Sequence, residues 1–207
     1  MRRRLFLTAS VGAFGLDWPQ FRGPGGTGIS TEKGLLREWP KGGPKLLWQQ
    51  PDIGDGYGTV AVAGARVYAV SNHGMDDEFV QALSVAKGEP MWAARLGSVG
   101  NPNQQPPYPM ARSTPALDAD RLYAFSSDGD LACLRSATGE VVWRKSVRKE
   151  FAGVPGTWGY GESPLLDGDA VVVTPGGESA TMVALNKMTG MPARRLGLKD
   201  RGVIAKA

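Results

Sequence analysis

The stretch STPALDADRLYAFSSDGDLACLRSATGEVVWRKSV, from Ser113 to Val147, decides the fold. Its four short apolar runs are separated by three turns that are rich in Asp, Gly, Ser or Thr. No run is long enough, or has the 3.6-residue spacing, to favour a helix. Short β-branched and aromatic runs between such turns predict a four-stranded antiparallel meander.

The meander occurs three times in the chain, and residues of its second half recur 51 positions apart. The shared positions are Leu83, Leu134 and Leu185 on the third strand, and Gly88, Gly139 and Gly190 in the turn that follows it. After this turn the first two copies have Trp92 and Trp143, whereas the third copy has Arg194. A period of roughly 40–50 residues with four strands per unit is typical of propeller blades. We therefore predict an all-β chain that forms a partial β-propeller of about three four-stranded antiparallel blades.

The segment before the first blade contains a further run, Lys45 to Gln50, which is similar to the fourth strand of the repeat. Trp48 takes the position in this run that Trp92 and Trp143 take in theirs. We therefore predict an additional outer strand, of the kind that completes the last blade of a closed propeller. The predicted organisation, in chain order, is a signal peptide at 1–15, a Gly/Pro-rich segment with the additional outer strand at 16–52, blades at 53–97, 111–147 and 159–197, and a tail at 198–207.

The composition favours a globular protein and gives little support to nucleic-acid binding. Charged residues make up 21% of the 207 residues and hydrophobic residues 42%, as in folded domains. The formal net charge is +4, of which Arg2, Arg3 and Arg4 supply three. The sequence has no stripe of Lys and Arg interleaved with aromatic residues, which nucleic-acid binding would favour.

The first 15 residues have the pattern of an export signal. Three arginines precede a short apolar run and the small residues Val11, Gly12 and Ala13, as in secretory signal peptides. The sequence from Arg3 to Leu7 is also similar to the twin-arginine export motif. We predict an exported protein, periplasmic or extracellular, and the alternative is a cytosolic protein with a basic tail. The apolar run is too short to span a bilayer.

The opening from Trp18 to Pro24, Trp-Pro-Gln-Phe-Arg-Gly-Pro, is followed by a repeat that ends Thr-Gly-Glu-Val-Val-Trp. Together they resemble the PQQ-binding-like β-propeller repeat proteins that bacteria export. The resemblance covers Asp17 to about Leu196. It implies an intact ring of about seven or eight blades. This family includes pyrroloquinoline-quinone (PQQ) alcohol dehydrogenases and a non-enzymatic outer-membrane assembly factor.

The two kinds of relative imply different residues. For a dehydrogenase, the resemblance implies a quinone beneath a ring of adjacent cysteines and over a tryptophan, with calcium held by Glu, Asn and Asp. Cys133 is the only cysteine, which excludes such a disulfide ring, and we predict that it is a small buried residue of the third strand. For the assembly factor, the resemblance implies a lipid-attachment cysteine near the N-terminus, which this sequence lacks. No cofactor is therefore predicted, and PQQ with calcium is the alternative.

Three blades are fewer than the four or more that close a ring. Because each repeat buries its faces only against its neighbours, the two outer faces of an arc would stay open. The chain is then a fragment of a longer protein whose other blades close the ring, or one member of an oligomer that closes it. A truncated product without independent function is a further alternative.

The strand order places short turns at one end of the blades and longer loops at the other, which we call the long-loop rim. Variable loops on a rigid scaffold are where function tends to lie, so we predict that a protein or small-molecule ligand binds there. The predicted binding residues are Tyr57, His73, Asp76, Tyr108, Arg112, Trp158, Tyr160 and Glu162. Tyr57, Arg112 and Glu162 precede the first strands of their blades and are predicted to converge on the central channel. The alternative is a set of solvated loops with aromatic rings packed over the blade ends.

Catalytic residues and metal ligands are not indicated by the sequence. His73 is close to Asp76, Asp77 and Glu78, but one histidine without a cysteine is a weak transition-metal site, and the loop offers few oxygens for calcium. There is no nucleophile-elbow motif. We predict a non-catalytic exported repeat protein that acts as a binding or scaffold module through its long-loop rim. The alternatives are a fragment of a PQQ-dependent alcohol dehydrogenase and a truncated product.

Overall fold

The computed structural model describes residues 17–103, residue 108 and residues 111–197. Within them the chain forms three four-stranded antiparallel sheets, each with its strands in sequence order. The first sheet contains β1 (Ala61–Ala63), β2 (Arg66–His73), β3 (Asp77–Ser84) and β4 (Pro90–Ser98). The second contains β5 (Ala116–Asp118), β6 (Arg121–Phe125), β7 (Asp130–Arg135) and β8 (Val141–Ser146). The third contains β9 (Leu165–Asp167), β10 (Ala170–Val173), β11 (Met182–Asn186) and β12 (Pro192–Leu196).

The predicted signal peptide at 1–15 and the predicted tail at 198–207 lie outside the described residues. The three sheets confirm the prediction of a partial β-propeller. Their first strands, β1, β5 and β9, lie next to one another, so they are the inner strands and face a common axis. The fourth strands are the outer ones.

Two apolar clusters fill the spaces between neighbouring blades. The first joins Tyr68, Val80 and Leu96 of the first blade to Leu122 and Leu134 of the second. The other joins Tyr123, Phe125 and Leu131 of the second blade to Val171, Val183 and Leu185 of the third. Each blade therefore buries the apolar face of its neighbour, as repeat architectures require.

The strand register makes the three blades equivalent residue by residue. Ala82 pairs with Trp92, Cys133 with Trp143, and Ala184 with Arg194. In each blade the ladder shifts immediately after this pair, at a β-bulge between the third and fourth strands. Arg194 therefore occupies the position of the repeat tryptophan. Cys133 is fully buried, as predicted.

The repeat tryptophan of one blade packs on the turn glycine of the next. The Nε1–H of Trp92 donates to the carbonyl of Ser136 at 3.1 Å. The Trp92 ring lies over Gly139, where an added Cβ would be 2.5 Å from the ring. Trp143 has the equivalent contacts with the third blade. This contact explains why the repeat has a tryptophan and a glycine at fixed positions.

The run at 45–50, which the sequence predicts as an additional outer strand, pairs with no strand among the described residues. These residues form no strand, and the side chain of Leu47 is 79% exposed. A strand needs the edge of another strand to pair with, and the described residues offer this run none. Trp48 still docks like the other tryptophans, because its Nε1–H donates to the carbonyl of Val85 at 2.7 Å and its ring lies over Gly88.

The beginning of the Gly/Pro-rich segment runs beside the inner strands. Trp18 and Val62 of β1 exchange two backbone hydrogen bonds, of 2.8 and 2.9 Å. The carbonyl of Pro19 accepts a bond from the backbone N–H of Leu117 in β5 at 2.8 Å. The segment therefore contacts the first two blades at the axis. A short 3-10 turn, Pro24–Gly26, follows it.

Two connections differ from the prediction of long loops. Strands β2 and β3 extend to His73 and from Asp77, so only three residues separate them, and Asp77 and Glu78 belong to a strand. The link after the second blade begins with a one-turn helix, α1 (Val147–Glu150), whose N-terminus is capped by the side chain of Ser146. Among the described residues, no helix is long and apolar enough to cross a membrane.

Candidate functional site: an aromatic cup around Arg112

The segments that lead into the inner strands are joined by hydroxyl groups at one repeat position. Thr59, Thr114 and Ser163 each lie two residues before the inner strand of their blade. The hydroxyl oxygens of Thr59 and Thr114 are 2.6 Å apart, and the backbone N–H of Thr114 donates to Ser163 Oγ at 2.9 Å. These bonds hold the three segments side by side at the long-loop rim. The predicted binding residues do not include these three, although three hydroxyl residues at one repeat position are a signal that the sequence contains.

Two positions earlier in the repeat are Tyr57, Arg112 and Gly161. The backbone N–H of Tyr57 donates to the carbonyl of Ala111 at 2.8 Å, which brings the first two segments together. The Cζ of Arg112 lies 4.8 Å from the centre of the Tyr57 ring. Gly161 has no side chain, and the Cδ of Arg112 lies 3.4 Å from the place where a Cβ on Gly161 would be. This is an ordinary van der Waals distance, so the third segment runs directly beside the arginine side chain.

The aromatic rings of two loops complete the site. The Cζ of Arg112 also lies over the Trp158 ring, 5.5 Å from its centre. The Tyr108 and Trp158 rings are 6.1 Å apart and inclined by 54°. With Tyr57 they line a cavity of about 490 Å³ that we call the rim cup. The exposed fractions of Tyr57, Trp158 and Tyr108 are 56%, 50% and 41%, which is high for residues of this size.

The charge of Arg112 has no acidic partner among the residues that the structure describes. Arg148, on the same rim, forms an ion pair with Asp128. Arg112 has neither a hydrogen bond nor an ion pair with a described residue, and its Nε is buried without an acceptor. The faces of Tyr57 and Trp158 attract the cation by roughly 0.5–2 kcal/mol each. Because these contacts use none of its N–H groups in ordinary hydrogen bonds, the guanidinium keeps its donors.

Glu162 lines a second cavity instead of the rim cup. This cavity, of about 350 Å³, lies between Gln20 and Phe21 of the Gly/Pro-rich segment and the start of the third blade, and it shares Arg112 with the cup. The Oε1 of Glu162 accepts a hydrogen bond from the backbone N–H of Thr174 at 2.6 Å. Burial raises the pKa of Glu162, and the bond from Thr174 opposes that shift. The carboxylate therefore has a structural partner within its own blade.

Three other predicted binding residues do not line the cup. Tyr160 is buried against Phe125, with ring centres 5.3 Å apart, and donates its hydroxyl to a backbone carbonyl. Burial raises the pKa of Tyr160 to about 12. His73 packs against Phe79, with ring centres 4.5 Å apart. The backbone carbonyl of Asp76 accepts a bond from Val99, and this residue lies in the turn between β2 and β3.

The acidic residues beside His73 have separate structural partners. Asp77 accepts two hydrogen bonds from Arg95, at 2.6 and 2.9 Å, and these lower the pKa of Asp77. Glu78 is fully buried between the first two blades and accepts bonds from the backbone N–H and the hydroxyl of Ser127. Burial raises the pKa of Glu78 to about 7. No pattern in the sequence indicates this burial, because two other acidic residues, Asp76 and Asp77, come directly before Glu78.

The described residues do not fit a quinone site of the cysteine-ring type. Cys133 is fully buried between the second and third blades, beside Tyr123, and burial raises the pKa of its thiol. No group of three His, Cys, Asp or Glu side chains within the described ranges could hold a metal ion. The rim cup offers aromatic faces and one guanidinium, which suits binding of an anionic or aromatic group and not proton transfer.

The fold and the repeat positions define the class of protein: a PQQ-like β-propeller repeat protein with an incomplete set of blades. A family model described as outer membrane protein assembly factor BamB matches residues 76–193, more than half of the chain. The chain therefore belongs to that family. No curated protein matches the sequence.

Solved structures with this fold include two kinds of protein. BamB from Moraxella catarrhalis is 21% identical, with a TM-score of 0.50, and the match covers 74% of this chain and 41% of that one. Quinohemoprotein alcohol dehydrogenase from Comamonas testosteroni is 18% identical, with a TM-score of 0.59, and the match covers 87% of this chain and 27% of that one. The alcohol dehydrogenase ADHIIG from Pseudomonas putida HK5 is 19% identical, with a TM-score of 0.54 over 74% of this chain and 22% of that one. The chain thus spans less than half of these proteins, and the likeness concerns the fold.

Proposed function

We propose that this chain is a non-catalytic binding module that holds a partner protein at its long-loop rim. Membership of a family described as an outer membrane protein assembly factor supports a scaffold role. In this proposal the protein works outside the cytoplasm, in keeping with the export signal expected at 1–15. The remaining blades of a longer chain, or another chain, complete the ring.

The observation that carries the proposal is the rim cup. Tyr, Trp and Arg are the residue types that dominate binding energy at protein interfaces, and the cup consists of Tyr57, Tyr108, Trp158 and Arg112. Three aromatic rings lie exposed around one cation that has no acidic partner among the described residues. The packing of the blades does not require exposed rings around a cation, because the apolar clusters that join the blades lie between the sheets. A partner that covers the rings and pairs with the cation accounts for it.

The cup contains none of the pairs that carry catalysis. The described residues of its lining include no Ser, Cys, His, Asp or Glu, so they offer no serine or cysteine nucleophile with an adjacent base. Its tyrosines and its arginine instead provide fixed hydrogen-bond donors at the edge of an apolar surface. Such a lining favours binding of a partner over catalysis.

The test is capture of the partner from the cell envelope, with the protein isolated from its own cells after mild cross-linking. We expect Arg112→Ala and Trp158→Ala each to reduce the recovered partner at least about tenfold, as hot-spot truncations do. The matched controls are Arg37→Ala and Trp39→Ala, which remove the same residue types from exposed positions of the Gly/Pro-rich segment. Full recovery with both cup variants would show that the partner binds another surface.

The alternative is a fragment of a PQQ-dependent dehydrogenase, for which the fold likeness to quinohemoprotein alcohol dehydrogenases is the supporting observation. The quinone would have to bind without the cysteine ring and without a cluster of acidic ligands in the described residues. Titration with PQQ and calcium tests it. A saturable shift of the quinone absorption, with a stoichiometry of one, would favour the dehydrogenase alternative over the proposal.

A further inference from the structure

We infer that the rim cup recognises the carboxylate of an Asp or Glu side chain, flanked by apolar residues, on an extended segment of the partner. The inference rests on the proposed function and adds the chemical class of the bound group. The arrangement that carries it is the guanidinium of Arg112, which lies 4.8 Å from the ring centre of Tyr57 and 5.5 Å from that of Trp158 in the lining of an open cavity.

The charge of Arg112 favours an acidic ligand. A half-buried guanidinium ordinarily has an acidic partner, because desolvation without one is unfavourable. Arg112 has none among the described residues, and its Nε is buried without an acceptor. The nearby Glu162 is held by the backbone N–H of Thr174 within its own blade. An acceptor from outside the chain would therefore complete the site.

The number of charges in the rim cup favours a carboxylate over a phosphate. Among the described residues that line the cup, Arg112 is the one with a charge, so these residues provide a single positive charge. A carboxylate carries one negative charge and accepts two N–H bonds from a guanidinium in one plane. A phosphate dianion in the same place would leave about one negative charge unbalanced in a partly desolvated site. The charge balance favours the carboxylate.

The aromatic walls of the rim cup favour apolar groups beside the acid. The rings of Tyr57, Tyr108 and Trp158 surround the cation, and the cavity volume of about 490 Å³ exceeds what a carboxylate alone would fill. A volume in this range accommodates several groups of a ligand. Aromatic walls favour apolar groups on either side of the acid. An acidic residue between apolar neighbours on an extended chain satisfies both conditions.

The experiment compares two blocked peptides, acetyl-Gly-Leu-Glu-Leu-Gly-amide and the same peptide with Gln in place of Glu. Binding to the whole protein is followed by the NMR signal of the Trp158 indole N–H, assigned with Trp158→Phe. We expect the Glu peptide to bind about tenfold more tightly, as for a charge-assisted hydrogen bond. Arg112→Gln should remove this preference, and Arg112→Lys should keep part of it. Arg37→Gln, the same change of charge at an exposed position of the Gly/Pro-rich segment, should leave it intact.

The outcomes separate this inference from the proposed function. Equal binding of the two peptides, with loss of both in Tyr57→Ala, would overturn the carboxylate assignment and leave the cup as the binding surface. Binding of 3-phenylpropionate without binding of either peptide would overturn the assignment to a partner segment, because the ligand would be a small acid. The inference would also be overturned if no probe binds at concentrations up to about 5 mM, which is roughly the largest dissociation constant that such a titration can measure. The proposed function fails separately, if partner capture is unaffected by the cup variants.

Discussion

The ring of Trp143 lies over Gly190 of the next blade, and a Cβ at Gly190 would be 2.8 Å from that ring. The Nε1–H of Trp143 donates at 3.0 Å to the carbonyl of Lys187, three residues before the glycine. The same relationship links Trp92 to the second blade and Trp48 to the first. One side chain per blade thus fixes the distance and the angle to its neighbour, which positions the rim loops.

Replacement of Trp143 by Phe keeps most of the buried area but removes the hydrogen bond to Lys187. We expect the free energy of unfolding to fall by about 1–2 kcal/mol, since a bond is lost and a carbonyl loses its partner. Urea unfolding followed by circular dichroism measures it. Trp39→Phe, at an exposed position of the Gly/Pro-rich segment, is the control and should change stability by less than about 0.5 kcal/mol. An equal effect of the two changes would contradict the docking role.

Gly139→Ala tests the space beneath the tryptophan. Gly139 has a φ of 75°, and its added Cβ would lie 2.5 Å from the ring of Trp92. Gly168 also has a positive φ, 52°, but nothing lies within 4 Å of its Cβ position. We expect Gly168→Ala to destabilise by about 1 kcal/mol through backbone strain alone, and Gly139→Ala by about 2–4 kcal/mol because overpacking is added. Thermal unfolding of the two variants compares these costs, and similar values would mean that the ring does not restrict the turn.

Ala119→Gly should stabilise the protein. Ala119 occupies the turn between β5 and β6 with a φ of 51°, where the equivalent residues are Gly64 and Gly168. A residue with a side chain is strained there by about 1 kcal/mol, so glycine relieves strain, although it also loosens the unfolded chain. We expect a net gain of about 0.5 kcal/mol in the free energy of unfolding from urea denaturation. A loss of stability would show that the alanine side chain makes a favourable contact.

Glu78 should make stability depend on pH. Burial raises the pKa of Glu78 from 4.5 to about 7, so the folded state binds this proton more tightly than the unfolded state. Its contribution is complete below about pH 4.5 and is lost as the pH rises to about 7, a change on the order of 3 kcal/mol. We expect Glu78→Gln to flatten the stability between pH 5 and pH 8, measured by urea unfolding.

The neighbouring acid provides the control for that prediction. Arg95 lowers the pKa of Asp77, so this residue contributes stability that is lost as the pH falls through its folded pKa, below the measured range. Asp77→Asn should therefore keep the wild-type decline between pH 5 and pH 8. The prediction is contradicted if the stability of the wild type does not decline between pH 5 and pH 8, or if Glu78→Gln keeps the decline. Either result would mean that ionisation of the buried Glu78 carboxyl costs little free energy.

The blades could be predicted from the sequence because their signals are local. Turn residues alternate with short apolar runs, and Trp92 and Trp143 recur at a fixed distance from a turn glycine. The apolar pattern at 45–50 predicts a strand, but pairing also needs the free edge of another strand, and the described residues offer none. Glu78 was misjudged for a related reason, because only its contact with Ser127 of another blade reveals that it is buried.

The rim cup could be predicted only as a list of candidate residues. Tyr57 and Arg112 share a repeat position, so their approach follows from the equivalence of the blades. The places of Tyr108 and Trp158 depend on the course of long loops, which no periodic pattern constrains. Tyr160 lies in the same loops, and their composition predicts that its side chain is exposed. Its ring is nevertheless buried in the core.

Photo-crosslinking from the position of Tyr57 tests the binding role of the rim cup most directly. A benzoylphenylalanine placed there in the intact protein should cross-link a partner protein in the cell envelope, and Trp158→Ala should abolish the product. The same group at Asp167, the exposed last residue of β9 at the opposite end of its blade, should give no such product. A cross-link of equal yield from Asp167, or one from Tyr57 that persists in Trp158→Ala, would contradict the account.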